Sequence, residues 1–293
     1  MVEKNKGFKI ASHAVMIFLT ICCVAPFLLI LAASFTNEQV LSTYGYSFIP
    51  RKIDFSAYIY LFAGSKAMLR ALGVSVFVTV VGTILNLTLT TLYAYPLSRK
   101  ELPGRKLFAF YLFFTMLFNG GLIPTYIMWT QTFHVQNTIF ALLVPGLLMG
   151  AYNVIMMRTY LTSNVPDEVI EAARIDGAGE LKILVKVVVP MAKPILGTLA
   201  MMVGLGYWND WMNGLYYLND DKLYTVQVML SRILRNLDMV KQSTSAGGGS
   251  VGPMPSISLR MAIAVVGVLP IMMAYPFFQK FLVKGITVGS VKG

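Results

Sequence analysis

Six long apolar runs dominate this chain, at about 10–33, 71–96, 107–129, 138–158, 195–217 and 259–282. Each approaches the ~20 apolar residues with which a helix crosses the hydrocarbon core of a bilayer. In that core every backbone N–H and C=O must be satisfied inside the protein, so runs of this length read as helices. The chain is therefore expected to be an all-α, polytopic membrane protein with six transmembrane helices. Composition agrees, since 56% of the 293 residues are hydrophobic and 13% are charged. That charge is about half the quarter usual in a soluble domain.

Several functions are excluded early. The two cysteines, Cys22 and Cys23, are adjacent in an apolar run, and the two histidines, His13 and His134, are far apart. No metal site, disulfide framework or cofactor follows from such residues. An enzyme would need paired titratable groups in a pocket, and none is evident. The net charge of +11 is accounted for by topology and membrane lipid, with no nucleic acid required.

Charge also orients the chain. With the N-terminus inside, the cytoplasmic segments hold Lys4, Lys6, Lys9, Arg99, Lys100, Arg105, Lys106, Arg158, Arg174, Lys182, Lys186, Lys193, Lys280, Lys284 and Lys292. The opposite side holds fewer, and Lys66, Arg70 and Arg260 lie where they can snorkel. The positive-inside rule places both termini in the cytoplasm. The first run follows three lysines like a signal peptide, but it exceeds a typical h-region and reads as an uncleaved helix. The expected organisation is a first helix and external loop over 1–70, a five-helix core over 71–282, and a cytoplasmic tail over 283–293. Ser243–Pro255, rich in Gly, Ser and Pro, reads as a flexible link, with Ser256 as the N-cap of the last helix.

The cytoplasmic loop 164–194 differs from the rest. It collects Asp167, Glu168, Glu171, Asp176 and Glu180. Pro166 suits a first helical turn, and Asp167 and Glu168 complement the helix dipole. Val169, Ala172 and Ala173 are placed on one face by i, i+3, i+4 spacing. Gly177 supplies the stop. A second amphipathic piece, about Leu181 to Val189, leads to Pro190. A short acidic helix with a small-residue face suits docking into a cleft on a partner protein. A helix lying on lipid would instead be rich in Lys and Arg.

Glu171-Ala172-Ala173, three residues, Gly177, nine residues, then Val187-Val188-Val189-Pro190 resembles the EAA signature of importer permeases, the membrane subunits of ATP-binding-cassette importers. Val187 and Val189 replace the usual Ile and Leu before the proline. Asp176-Gly177-Ala178 and Pro194-Ile195-Leu196 resemble the carbohydrate-uptake branch, related to the maltose importer. Phe118-Asn119-Gly120-Gly121-Leu122-Ile123-Pro124-Thr125-Tyr126, Trp208-Asn209-Asp210-Trp211 and Val283-Lys284-Gly285-Ile286-Thr287-Val288-Gly289-Ser290 resemble its subgroup for aldouronate, alginate and other complex oligosaccharides. The resemblance covers nearly the whole chain. It implies six helices of the type I importer architecture in a bacterial cell membrane. It also implies a second homologous permease subunit, two ATPase subunits, an extracytoplasmic solute-binding protein and an oligosaccharide substrate. Glu168, Glu171, Ala172, Ala173, Asp176, Gly177 and Pro190 are then expected in a coupling helix and loop that engage an ATPase. The chain lacks a Gly-x4-Gly-Lys-Ser/Thr loop, so ATP hydrolysis belongs to other subunits. The alternative is an ion-coupled secondary transporter. Such a protein often carries internal repeats, and no clear repeat is present here.

Polar groups within the runs are candidates for the substrate path. Tyr207, Trp208, Asn209, Asp210 and Trp211 could contact a sugar through rings and hydrogen bonds, but an interfacial aromatic belt at the end of the fifth run is the preferred reading. Asn86 and Asn119 could line the path or act as glue between helices, and the glue reading is preferred. Gly120-Gly121 before Pro124 predicts a broken third helix, and Pro270 and Pro276 predict bends in the sixth.

Overall fold

The first, second and last apolar runs fold as uninterrupted helices, and the rest break. The computed structural model describes residues 6–63, 65–245 and 257–290. The first run is α1 (Lys6–Ser34), followed by α2 (Glu38–Tyr44) and α3 (Ser56–Ala63) in the segment that joins it to the second run. The second run is α4 (Ser65–Ser98), which starts earlier than expected and takes in Lys66 and Arg70. The third comprises α5 (Arg105–Leu117) and α6 (Leu122–Ile127), with a π-turn over Met128–Thr132; the fourth is split between α7 (Phe140–Leu143) and α8 (Ala151–Asn164). The loop beyond holds α9 (Asp167–Ile175), α10 (Glu180–Ile183), a π-turn (Leu184–Val188) and α11 (Val189–Met191). The fifth run is α12 (Lys193–Asn209) and α13 (Met212–Tyr217); α14 (Val226–Ser245) and α15 (Ile257–Ser290) follow.

Three of these helices are long and apolar enough to cross a membrane alone: Gly7–Ser34, Lys66–Ser98 and Ile257–Gln279. Two bent pairs meet the same length and composition test only when each pair is taken together as one span. Arg105–Leu117 meets Leu122–Thr132 at 112°, and Glu180–Met191 meets Lys193–Tyr217 at 83°. The first bend falls at the expected glycines, where Gly121 has φ +86°. The run over 138–158 departs from the expected continuous helix. It breaks at Pro145, which has no N–H to donate, and at Gly146, with φ +73°. By contrast, α15 is continuous through Pro270 and Pro276.

The described chain divides into two units. One is Met1–Met68 with Leu230–Pro270. In it, Thr36 and Ile53 form an isolated antiparallel bridge. Asp54 accepts from the Ser56 N–H at 2.8 Å and from Asn37 Nδ2 at 2.7 Å. These bonds, the Ser56 amide first, hold the Asp54 carboxyl below its usual pKa. Phe35 stacks on Tyr58 with centroids 4.9 Å apart. The Glu38 carboxylate accepts from the N–H groups of Ile257 and Ser258 and from the Ser258 hydroxyl. The first turn of α15 is thus capped from α2, a negative charge on the positive end of a helix. Ser256, the expected cap, and residues 246–255 of the expected flexible link lie outside the described residues. The link's first three residues, 243–245, belong instead to α14, an amphipathic helix where a loop is expected. Its alternation of Leu, Arg and polar residues was the available signal.

The other unit is Leu69–Met229 with Ile271–Gly293. Two buried clusters stand out among its described residues. Ala94, Leu97, Met157, Leu161, Ile170, Ile183 and Leu199 bring α4, α8, α9, α10 and α12 together. Val78, Leu142, Val203, Tyr207 and Tyr217 join α4, α7, α12 and α13. Much of the remaining apolar surface is bare, including Leu107, Phe110 and Tyr111 on α5, as suits lipid contact.

Candidate functional site

The loop after α8 is built as a short rod with a firm stop. Pro166 occupies the N-cap position of α9, with Asp167 and Glu168 in the first turn and Arg174 in the last. At the far end Ala178 N–H donates to Ala173 O and Gly177 N–H to Arg174 O, both at 3.0 Å. This pair of bonds is a Schellman ending, and it requires the left-handed residue that Gly177 supplies at φ +75°. The stop expected at Gly177 is therefore present.

The rod's faces differ from expectation. Ile170 is buried, and Ala173 packs beside it against the larger cluster. Val169 and Ala172 face outward instead of sharing a face with Ala173. Ile170 provides the larger inward apolar group, so the helix rotates to bury it. The exposed stripe is Glu168, Glu171, Ala172 and Ile175, at i, i+3, i+4, i+7. Ile175 is 86% exposed. The sequence reading missed it, although its spacing from Glu168 and Glu171 was visible. Asp176 is exposed at the C-cap.

Both ends of the rod are tied to the loop after α4. Arg99, 7% exposed, donates from Nη1 to Asp167 Oδ1 at 2.9 Å. Lys100 reaches the other Asp167 oxygen at 3.5 Å. Arg174 donates to Glu101 and to Glu180, each at 2.8 Å. The Tyr95 hydroxyl donates to the second Glu180 oxygen at 2.7 Å. Glu180 lies in the loop, and its pKa is lowered, first by the Tyr95 bond and then by Arg174. Tyr95, Arg99, Glu101, Arg174 and Glu180 line an open cleft of about 420 Å³. None of Tyr95, Arg99, Glu101 and Arg174 was singled out as a tether by the sequence reading.

Beyond the rod, the π-turn Leu184–Val188 precedes Pro190, which is exposed in α11. Proline has no N–H for the carbonyl four residues back, and a widened turn accommodates that loss. The 83° bend follows directly.

The polar candidates separate into three settings. Three carbonyls of the broken fourth run are met by side chains from other elements. Tyr207 Oη donates to Leu143 O at 2.9 Å, Asn213 Nδ2 to Pro145 O at 2.9 Å, and Asn86 Nδ2 to Leu147 O at 2.6 Å. Asn86 also accepts from Thr90 at 3.2 Å and is buried. It acts as internal glue. Tyr207 and Trp208 are buried, whereas Asn209 and Trp211 are exposed. Asp210 ends α12, with Oδ1 accepting from Asn213 N–H at 3.2 Å. Its Oδ2 is buried without a hydrogen-bond partner. Asn119 bonds locally, accepting from Gly121 N–H at 2.8 Å.

The family described as "Binding-protein-dependent transport system inner membrane component" matches residues 3–288. The chain belongs to this family. The permease is 35% identical over 291 residues to the polygalacturonan/rhamnogalacturonan transport system permease protein YtcP of Bacillus subtilis (strain 168), covering 99% of this chain and 100% of that protein. It is 28% identical over 284 residues to the arabinooligosaccharides transport system permease protein AraQ of Halalkalibacterium halodurans, covering 94% of each. Among solved structures, it is similar to a bacterial ABC transporter involved in the import of the acidic polysaccharide alginate. That similarity has TM-score 0.79 and 28% identity, covering 96% of this chain and 98% of that one. The permease is an all-helical transport subunit of an ABC importer rather than an enzyme. The family gives no support to the ion-coupled alternative.

Proposed function

We propose that this permease carries oligosaccharides, released by an extracytoplasmic solute-binding protein, across a bacterial membrane. It pairs with a second homologous permease subunit, and two ATPase subunits drive the pair between outward- and inward-facing states. One observation carries the coupling role: α9 is fastened at both ends, yet its stripe of Glu168, Glu171, Ala172 and Ile175 is bare. An exposed Ile175 beside two carboxylates suits a partner cleft with an apolar floor and basic walls. Gly177 and Asp176 end the rod, and Ala173 and Pro190 set its seat and exit.

Both termini are cytoplasmic in this reading. Residues 1–70 form the first helix and external loop, 71–282 the core and 283–293 the tail. The bent pairs and the broken 138–158 run complete six crossings. Asn209 and Trp211, the exposed members of the aromatic cluster, are the ones proposed to meet a sugar.

A uronate-bearing oligosaccharide is the leading substrate, supported by the polygalacturonan and alginate named for two similar proteins. The test is ATP hydrolysis by the purified complex with its binding protein and a panel of acidic and neutral oligosaccharides. Stimulation by acidic members is expected. Stimulation by neutral members alone would overturn the uronate assignment, and no response to any oligosaccharide would overturn the import reading.

A further inference from the structure

We propose that the basic cleft between the start of α5 and the end of α8 binds the phosphate headgroup of an anionic phospholipid. The cleft measures about 570 Å³ and is lined by Lys100, Arg105, Lys106 and Arg158, with Leu102 and Gly104. Four cations face one volume, and no carboxylate lines it. Of the carboxylates in the neighbouring loops, only Asp167 reaches a cleft cation, Lys100, at 3.5 Å. Asp167 is shared by Arg99 and Lys100, and Glu101 is paired with Arg174.

Arg105, Lys106 and Arg158 have no ion-pair partner among the described residues, and gathering such like charges is unfavourable, more so beside an apolar medium. Two of the four, Arg105 and Arg158, are half-buried. Arg105 is held in place because its Nε donates to Leu97 O at 2.9 Å, leaving its terminal amines free of that bond. A phosphate monoanion in the cleft would compensate this charge, with a guanidinium on either side suited to paired oxygens. Arg105 and Lys106 also occupy the first turn of α5, whose positive end they oppose, and Gly104 gives that end no side-chain cap. An anion removes this conflict.

The surface beyond the cleft distinguishes lipid from a soluble anion. Leu107, Phe108, Phe110, Tyr111, Phe113 and Phe114 of α5 are all exposed. They form an apolar track leading away from the cations. A headgroup in the cleft would lay its acyl chains along that track. Basic pockets between membrane helices are recognised settings for anionic headgroups. The inference is independent of the transported substrate and of which side is cytoplasmic.

The test is native mass spectrometry of the detergent-purified assembled importer, titrated with phosphatidylglycerol, phosphatidylcholine or inorganic phosphate. Preferential retention of phosphatidylglycerol is expected. The double variant Lys106→Gln/Arg158→Gln should bind it more weakly, roughly fivefold for each cation removed and so about 25-fold together. Phosphatidylcholine binding should be unchanged, and the charge-keeping Lys106→Arg/Arg158→Lys variant should retain selectivity. Equal retention of the two lipids by the unaltered importer would overturn the proposal, whatever the variants do. So would full competition by inorganic phosphate, which would make a free anion the ligand. Undiminished selectivity in the folded double-glutamine variant would overturn the assignment to this cleft.

Discussion

The Tyr95 hydroxyl donates to Glu180 at 2.7 Å across 85 positions of sequence. It joins the end of α4, a membrane helix, to the first turn beyond the α9 rod. Arg174 holds the same carboxylate from the rod itself. In the proposed coupling role, a push on α9 would reach α4 through these bonds as well as through packed side chains. Tyr95→Phe removes one of these bonds while keeping the ring. Because Glu180 is 55% exposed, solvent screening limits the loss to about 1 kcal/mol or less. Amide exchange in α9 and α10 should rise by up to about fivefold. Unchanged exchange would remove the bond from the coupling account.

Acidification should loosen the same joint. The folded-state pKa of Glu180 lies below its ordinary 4.5. A depressed carboxylate adds stability above the unfolded value and loses it as pH falls through the folded one. Opening of α9 and α10 should therefore grow below about pH 4.5, and Glu180→Gln should abolish that dependence. An identical acid response in the glutamine variant would assign the effect to another group.

The bare stripe of α9 predicts mutations that spare the fold and damage coupling. Ile175→Glu and Glu171→Lys change exposed positions, so stability should shift by no more than ~0.5 kcal/mol. Sugar-stimulated ATP hydrolysis and uptake should nevertheless fall. Gly177→Val acts differently. A Cβ there meets nothing within 4 Å, but φ is +75°, so backbone strain of about 1–3 kcal/mol should deform the stop. Normal stimulated hydrolysis in all three variants, measured in reconstituted importer, contradicts the rod's role.

The broken fourth run depends on borrowed donors. Asn86→Leu and Asn213→Leu should each strand a carbonyl, at a cost of about 1–3 kcal/mol. Thermal unfolding of the detergent-purified importer should shift downward for both. Unaltered unfolding temperatures would show that these carbonyls find other partners.

The aromatic cluster should divide by exposure. Tyr207→Phe removes the bond to Leu143 O and should lower thermal stability. Asn209→Ala and Trp211→Ala should lower uptake if those side chains meet sugar. Uptake equal to the unaltered importer's in both would return them to the interfacial belt.

The break at Gly120-Gly121 was legible because glycine and proline act on their own backbone. The stop at Gly177 was legible for the same reason. The break at Pro145-Gly146 carried the same signal but lay within an apolar run long enough to read as a span. The rotation of α9 was not legible. Val169, Ile170, Ala172 and Ala173 offer two overlapping apolar faces, and only the neighbouring Leu161, Ile183 and Val188 select Ile170 and Ala173. Asn86 was read as glue, but its acceptor could not be named.

Composition and local spacing determined that this chain lives in a membrane, where its acidic loop lies and where that loop's helix stops. These follow from the cost of bare backbone in hydrocarbon and from the φ that a single residue tolerates. Tertiary structure alone decided which face of α9 is free, and which donors reach the carbonyls of Leu143, Pro145 and Leu147. The three donors lie 64, 68 and 61 positions from their acceptors. Hydrogen bonds act over about 3 Å, so such pairings exist only once packed helices have brought distant segments together.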